Sequence, residues 1–206
     1  MPLDGPQYPV NLILKGRRCL VVGGGKVAFG KVQGLLGAGA IVSVVAIESI
    51  PELKSLDGIT LEERPYRPGE LAGYRLAIAA TDDPEVNRQI YLDGEASGVW
   101  VNSADNPENC AFTLPAVVRR GPIMITVSTG GHSPALSSWL RSRLDTELGP
   151  EYLTLLDLLS EHREQLRAQG LATEGLGWQE ALDSGILELV RTGRFAEARE
   201  RLQACL

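Results

Sequence analysis

Three short stretches of this chain hold residues that could do chemistry. The first is Gly23-Gly24-Gly25-Lys26-Val27-Ala28. Read as G-x-G-x-x-A, Gly23 makes a tight turn, Gly25 lets a pyrophosphate approach the backbone, and Ala28 permits close packing of helix on strand. The helix that follows offers unpaired N–H groups and a partial positive charge to an anion. Glu48 stands about twenty positions beyond the glycines, where an acidic residue binds a ribose 2′-OH. Glycine triplets also occur in ordinary turns, so the dinucleotide reading rests on context: an apolar strand before the turn, a helix after it, and a second apolar strand ending at Glu48.

The second stretch is the polar run Asn102-Ser103-Ala104-Asp105-Asn106-Pro107. A carboxylate here, at the end of a central strand beside a cofactor, is placed for general base work. It could equally be an Asx-turn residue opening the loop before Pro107. The third is Ser128-Thr129-Gly130-Gly131-His132-Ser133-Pro134. Ser128, Thr129 and Gly130 either bind an anion through backbone N–H groups or simply cap a helix. His132 could move protons or ligate a metal, although a lone loop histidine more often does neither. His162, in a charged helical run, reads as surface. Arg119, Arg120, Arg141 and Arg143 concentrate positive charge that a polycarboxylate substrate would need, and paired arginines between strands also occur as solvated turns. No HExxH motif or Cys/His cluster is present, which argues against a dedicated metal cage.

The elements needed to hold these residues follow from hydrophobic periodicity. Strands are expected at 18–22, 41–47, 58–63, 76–80 and 99–101, with helices over 26–38 and from Pro84 to about Ser97. Thr81-Asp82-Asp83 precedes the second helix as its N-cap, with proline in the first turn. This alternation predicts an α/β fold, a doubly wound parallel sheet with its ligand crevice at the carboxyl ends of the strands. Two more strands, 111–115 and 123–127, should flank Arg119 to Pro122. A helix should run from Ser133-Pro134 to about Leu148, and leucine-striped helices should fill 151–206. Met1 to Asn11 reads as an irregular arm across the sheet.

Composition narrows the classes. The 206 residues are 44% hydrophobic and 22% charged, as in an ordinary globular protein. A net charge of −6 argues against a nucleic-acid surface, which needs a basic face. Cys19, Cys110 and Cys205 are odd in number and widely spaced, which points to a reducing compartment without a thiolate metal site. With no signal-like segment and no apolar run of about 18 residues, the expectation is a cytoplasmic protein with no membrane partner.

Several motifs together resemble the precorrin-2 dehydrogenase / sirohydrochlorin ferrochelatase family of siroheme synthesis. They are Val21-Val22-Gly23-Gly24-Gly25-Lys26-Val27-Ala28, Ala79-Ala80-Thr81-Asp82-Asp83, Val101-Asn102-Ser103-Ala104-Asp105, Phe112-Thr113-Leu114-Pro115-Ala116 and Ser128-Thr129-Gly130-Gly131-His132-Ser133-Pro134-Ala135. The similarity runs colinearly over about residues 8 to 150, and the helical tail matches only in length and character. It implies oxidation of precorrin-2 to sirohydrochlorin with NAD and, in some members, insertion of ferrous iron. It also implies a Rossmann domain (1–114), a central dimerisation segment with swapped elements (115–150) and a helical C-terminal domain (151–206), two protomers forming each site. The family's key aspartate falls on Asp105, which would also be the metal-side residue in a chelatase. Cofactor contacts fall on Gly23, Gly24, Gly25, Lys26, Val27, Ile47, Glu48 and Thr81. Substrate contacts fall on the turn Ser128, Thr129, Gly130 and His132, with Arg119 and Arg120 added on charge alone.

Two positions depart from the family pattern. Many members have a basic residue at Gly30 and proline at Ile47, and Gly30 costs about 1 kcal/mol of helix stability against alanine. The chain ends without the methyltransferase module fused in some relatives, so precorrin-2 is expected from another protein. Glu48 should favour NAD, because a carboxylate repels the 2′-phosphate of NADP. The reading from another class is a non-catalytic NAD- or tetrapyrrole-binding regulator on the same fold. An enzyme acting on a small hydroxy acid lacks the His-Asp pair it would need.

Overall fold

The computed structural model describes residues 5–206. The chain forms two compact units, one ending at Leu114 and the other spanning Pro115–Leu206. In the first, β1 (Arg18–Val22), α1 (Lys26–Gly37), β2 (Ile41–Ala46), a short α2 (Pro51–Lys54), β3 (Ile59–Glu63), β4 (Leu76–Ala79), α3 (Pro84–Ser97) and β5 (Trp100–Ser103) follow one another. The strands make one parallel sheet in the order β3-β2-β1-β4-β5. Strand order reverses direction between β1 and β4, and ligands bind at such a switch point, outside the carboxyl ends.

Alternation along each strand explains why both faces are covered. Cys19, Val21, Val42, Val44, Leu76 and Ile78 pack with Ala28, Val32 and Leu35 of α1. Leu20, Val22, Val45, Ala77, Ala79 and Val101 pack with Ile90 of α3. Successive side chains point to opposite faces, so apolar runs such as Cys19 to Val22 suit only a strand buried on both sides. The end of α1 closes with paired bonds, Gly39 N–H to Leu36 O and Ala40 N–H to Leu35 O, the two bonds of a Schellman cap. Asp83 caps α3 by accepting from the Glu85 and Val86 amides, with Pro84 in the first turn.

Several expectations are corrected. The apolar pattern of the first helix puts Val27 with Leu35 and Leu36 on its apolar side, but Val27 is exposed. Ile47 is 75% exposed beyond the end of β2. Asn102 and Ser103 belong to β5 and are buried, so the polar loop begins at Ala104. The stretch 111–115 makes no strand. It folds back on β5 through Ala111 N–H to Val101 O and Asn102 Nδ2 to Phe112 O, with Phe112 packed on the core. The N-terminal arm begins in residues 1–4, outside the described residues. Of the rest, Tyr8, Val10 and Ile13 are exposed, and Gln7 Nε2 donates to Thr113 Oγ1.

In the second unit, β6 (Ala116–Arg120) and β7 (Ile123–Val127) form an antiparallel hairpin. Arg119 and Arg120 lie within β6, and the turn is only Gly121-Pro122. Helix α4 (Pro134–Glu147) packs on both strands, and Ser133 Oγ accepts from the Leu136 amide as its cap. Then α5 (Glu151–Ala168), α6 (Trp178–Asp183), α7 (Ile186–Arg191) and α8 (Phe195–Cys205) share a core of Leu155, Leu158, Ala181, Ile186, Leu189, Ala198 and Leu202. His162 is half-buried rather than a surface residue, with its ring edge-on to Trp178.

A β-carbon on Gly24 would lie 1.8 Å from the backbone oxygen of Glu48, whereas one on Gly30, inside α1, would meet open space. Gly24→Ala should therefore destabilise by about 1–3 kcal/mol through overpacking against a backbone that cannot yield. Gly30→Ala should stabilise by roughly 1 kcal/mol. Urea midpoints of the two variants check the opposite signs.

Candidate active site

Four loops meet at the carboxyl ends of β1, β2, β4 and β5. Gly23 leaves β1 at φ 132°, a conformation that suits glycine, and a β-carbon there would sit 2.2 Å from Ala80 O. Gly24 presses on Glu48 and Ser49, and its carbonyl accepts from the Ile50 amide at 2.9 Å. The first two glycines therefore hold the β1 turn against the loops after β4 and β2. Gly25 differs, because a β-carbon on it would meet nothing within 4 Å. It starts α1 with no side-chain cap, and the first turn has no acidic residue. A helix N-terminus leaves its first N–H groups without intrahelical partners. Here Gly25, Lys26 and Val27 are exposed and open space borders Gly25, which fits the diphosphate of a dinucleotide. Glu48 follows β2 as an exposed carboxylate, consistent with a ribose-binding role.

Thr81 and Asp105 sit on the neighbouring loops. The Thr81 hydroxyl donates to Asn87 Oδ1 at 2.7 Å and accepts from the Asp83 amide, so it serves the loop's own structure. The Asp105 carboxylate is exposed and accepts a short hydrogen bond from the buried Ser103 hydroxyl. Desolvation pushes its pKa up, but hydrogen bonds from Ser103, Asn87 and backbone N–H groups outweigh that and hold it below the usual carboxylate range. Asp105 is therefore ionised at neutral pH and able to accept a proton, although a low pKa limits its strength as a base. Beneath the loop, Cys110 Sγ contacts Ser103 N–H and donates to Ser103 O, both at 3.3 Å, and burial pushes the thiol up. Arg88 Nη1 bonds the buried Asn109 at 2.7 Å, anchoring the far side of the loop.

The second unit has its own cluster. Thr129 Oγ1 accepts from the Ser133 amide and lies 3.1 Å from Ser137 Oγ. Gly130 N–H donates to Ser128 Oγ, and His132 N–H to Thr129 O. The turn is thus pinned by its own hydroxyls, with the His132 residue exposed. Arg120 is engaged elsewhere: it caps the end of α4 through Leu148 O and Asp145 O and pairs with the Asp145 carboxylate at 2.9 Å. This geometry leaves Arg119, exposed on β6 against Met124 Sδ, as the arginine of the pair that faces solvent. Among the described residues no three His, Cys, Asp or Glu side chains are grouped to hold a metal ion, and no helix is long and apolar enough to cross a membrane.

Two residues of the site, Asn87 and Ser103, are not singled out by motif. Asn87 does leave a signal, because it is a polar residue in the buried stripe Asn87, Ile90, Gly94 of α3. A buried amide must find partners.

Residues 10–116 match the family described as "Putative NAD(P)-binding". The chain belongs to this NAD(P)-binding family. Over 97% of its length this NAD(P)-binding chain is 39% identical to a siroheme synthase from Nitrosococcus oceani. Over 95% of its length it is 39% identical to one from Chromobacterium violaceum. It spans less than half of either relative, 44% and 43% respectively. Among solved structures, SirC, a precorrin-2 dehydrogenase, superposes with a TM-score of 0.77 at 27% identity, covering 97% of this chain and 98% of that one.

The pKa of Asp105 has a checkable consequence. Because the folded value is depressed, its contribution to stability is present above the ordinary carboxylate value of 3.8 and is lost as pH falls through the lowered value. Ser103→Ala removes a donor, so the Asp105 pKa should move up towards 3.8, and acid unfolding should begin at higher pH. Carboxyl carbon shifts of labelled protein, titrated from neutral to acid, read this directly.

Proposed function

We propose that the chain is an NAD-dependent precorrin-2 dehydrogenase of siroheme biosynthesis, oxidising precorrin-2 to sirohydrochlorin. The observation that carries this reading is an exposed carboxylate, Asp105, after β5, with only β4 between that strand and β1, whose turn is shaped for a dinucleotide. Similarity to SirC over nearly the full length of both chains supports it, as do the siroheme synthase relatives.

Gly23, Gly24 and Gly25 hold the turn, while the N-terminus of α1 with Lys26 and Val27 takes the diphosphate. Ile47 and Glu48 receive the adenosine ribose, and Thr81 shapes the wall after β4. NAD, when bound, supplies the hydride acceptor. Asp105 accepts the accompanying proton on a carboxylate oxygen. Arg119 and the turn Ser128 to His132 meet the substrate's carboxylates, and Arg120 supports them by fixing α4 to β6. Ferrous-iron insertion would use the same Asp105 to take pyrrolic protons, with iron as a substrate.

We also propose a homodimer with a central segment at 115–150 and a helical domain at 151–206. The β6–β7 ribbon pairs with no third strand among the described residues, and Val117, Leu136 and Trp139 of the same segment are exposed. A two-stranded ribbon is marginal alone, and a second copy would cover these apolar side chains.

Anaerobic incubation of the protein with precorrin-2 and NAD, followed by absorbance and then by addition of ferrous ion, tests the activity. NAD-dependent formation of sirohydrochlorin is expected. Tight tetrapyrrole binding without NAD reduction would instead favour a binding protein. Asp105→Ala should keep NAD affinity and lose at least about a hundredfold in turnover, in the range of a lost general base; an undiminished rate would remove Asp105 from the mechanism. Glu48→Gln should narrow the preference for NAD over NADP, measured as the ratio of kcat/KM values.

A further inference from the structure

Asn87 stands one turn beyond the Asp83 cap of α3, and its N–H bonds Asp83 O at 3.1 Å. Asparagine is a poor residue for a helix interior, and a buried carboxamide costs free energy unless it is hydrogen-bonded. Asn87 is nevertheless 1% exposed, in one stripe with Ile90 and Gly94. Its side chain holds Thr81 at three atoms. Oδ1 accepts from the Thr81 amide at 3.2 Å and from the Thr81 hydroxyl at 2.7 Å, and Nδ2 donates to Thr81 O at 3.0 Å. The parallel ladder ends just before, with Ala80 N–H bonded to Val22 O at 2.8 Å. From there the Asn87 carboxamide supplies Thr81 with an acceptor and a donor, as a neighbouring strand would.

This hold reaches the nucleotide turn through one peptide group. A β-carbon on Gly23 would lie 2.2 Å from Ala80 O and 3.2 Å from Thr81 N, so the turn after β1 lies on the peptide joining Ala80 to Thr81. A trans peptide is planar, and its C=O and N–H point opposite ways. The C=O of this one lies against Gly23, and its N–H is bonded to Asn87. Rotating the plane would break the bond to Oδ1 and move Ala80 O relative to the glycine turn. We infer that Asn87 is a positioning residue for the dinucleotide: it fixes the plane of the Ala80–Thr81 peptide, and that plane sets where the Gly23 turn and the wall after β4 stand. This deepens the dinucleotide reading of the site and rests on it. Asp83 does not make the same link, because its contacts are with the Thr81 hydroxyl. Arg88, the next residue of α3, serves a different loop through its 2.7 Å bond to Asn109.

The test uses the full chain and NAD alone, without precorrin-2. Asn87→Ala should weaken NAD binding about tenfold, as expected for lost buried hydrogen bonds, and should speed amide hydrogen exchange at 80–82. Arg88→Ala removes a neighbouring α3 bond instead and should leave exchange at 80–82 as in the parent. Thr81→Val removes the hydroxyl but keeps both backbone bonds, so its loss of NAD affinity should be smaller. In the double variant the losses should not add: its Kd should stay within about twofold of that of Asn87→Ala, since residues in one hydrogen-bond network are coupled. Parental NAD affinity in folded Asn87→Ala, or fully additive losses, would overturn the inference. Should Asn87→Ala fail to fold, the parent decides. Saturating NAD should slow exchange of the Thr81 amide and shift the Asn87 side-chain amide signals, and unmoved signals would overturn the inference. A parent that binds NAD without oxidising precorrin-2 loses the dehydrogenase assignment, while the affinities above still judge Asn87. A parent that binds no NAD overturns both.

Discussion

The close approach of backbone to backbone at Gly23 and Gly24 is the constraint on which the site depends. With β-carbons excluded at both positions, the turn after β1 can lie flat against the loops leaving β4 and β2. That contact does two things at once. It leaves the start of α1 at Gly25 and Lys26 exposed, where unpaired N–H groups can meet an anion. It also sets the wall of the crevice, because Ala80 and Glu48 are held by the same atoms that would clash with a larger residue. A parallel sheet buried on both faces supplies the rigidity behind this arrangement. The two apolar clusters, one under α1 and one under α3, fix the strand ends to which the loops are attached.

The electrostatics of the site follow from the same packing. Asp105 stands at the surface, yet its charge is stabilised by donors that are themselves buried, Ser103 and Asn87. An exposed carboxylate with buried donors keeps access to solvent and substrate while its orientation is set from below. The Cys110 thiol adds a further support without offering a reactive thiolate, since burial raises its pKa.

Much of this was legible in the residues. The run Arg18 to Val22, the glycines after it and the Asp83-Pro84 start of α3 obey local rules, so the strand, turn and helix fall where periodicity and capping place them. The errors share one physical origin. Asn102 and Ser103 read as loop because they are polar, but their side chains are satisfied by Phe112 O and Asp105, which lets polar residues end a buried strand. The segment 111–115 reads as a strand because it is apolar, but Pro115 and the bonds to β5 keep it out of any ladder. Arg120 looks like a free cation until the end of α4 is seen to use its donors. Partnerships between residues distant in sequence leave no periodic trace, so the roles of Asn87, Ser103 and Arg120 emerge only from the fold.

Helix α3 bears a double duty with evolutionary weight. Along one face it carries Asn87, Ile90 and Gly94, all buried: the first holds the Thr81 loop through both ends of its amide, the second fills the core, and the third lets β5 come close enough that a β-carbon would strike Val101. A substitution that shifts this helix by even a fraction of an ångström would disturb fold and chemistry together. Beyond its first turn, the outer side of α1, where Gly30 borders open space, carries no such double burden. Sequence drift should therefore be cheap on α1's outer side and costly along this face of α3, making α3 the conservative spine around which variants of this protein would diversify.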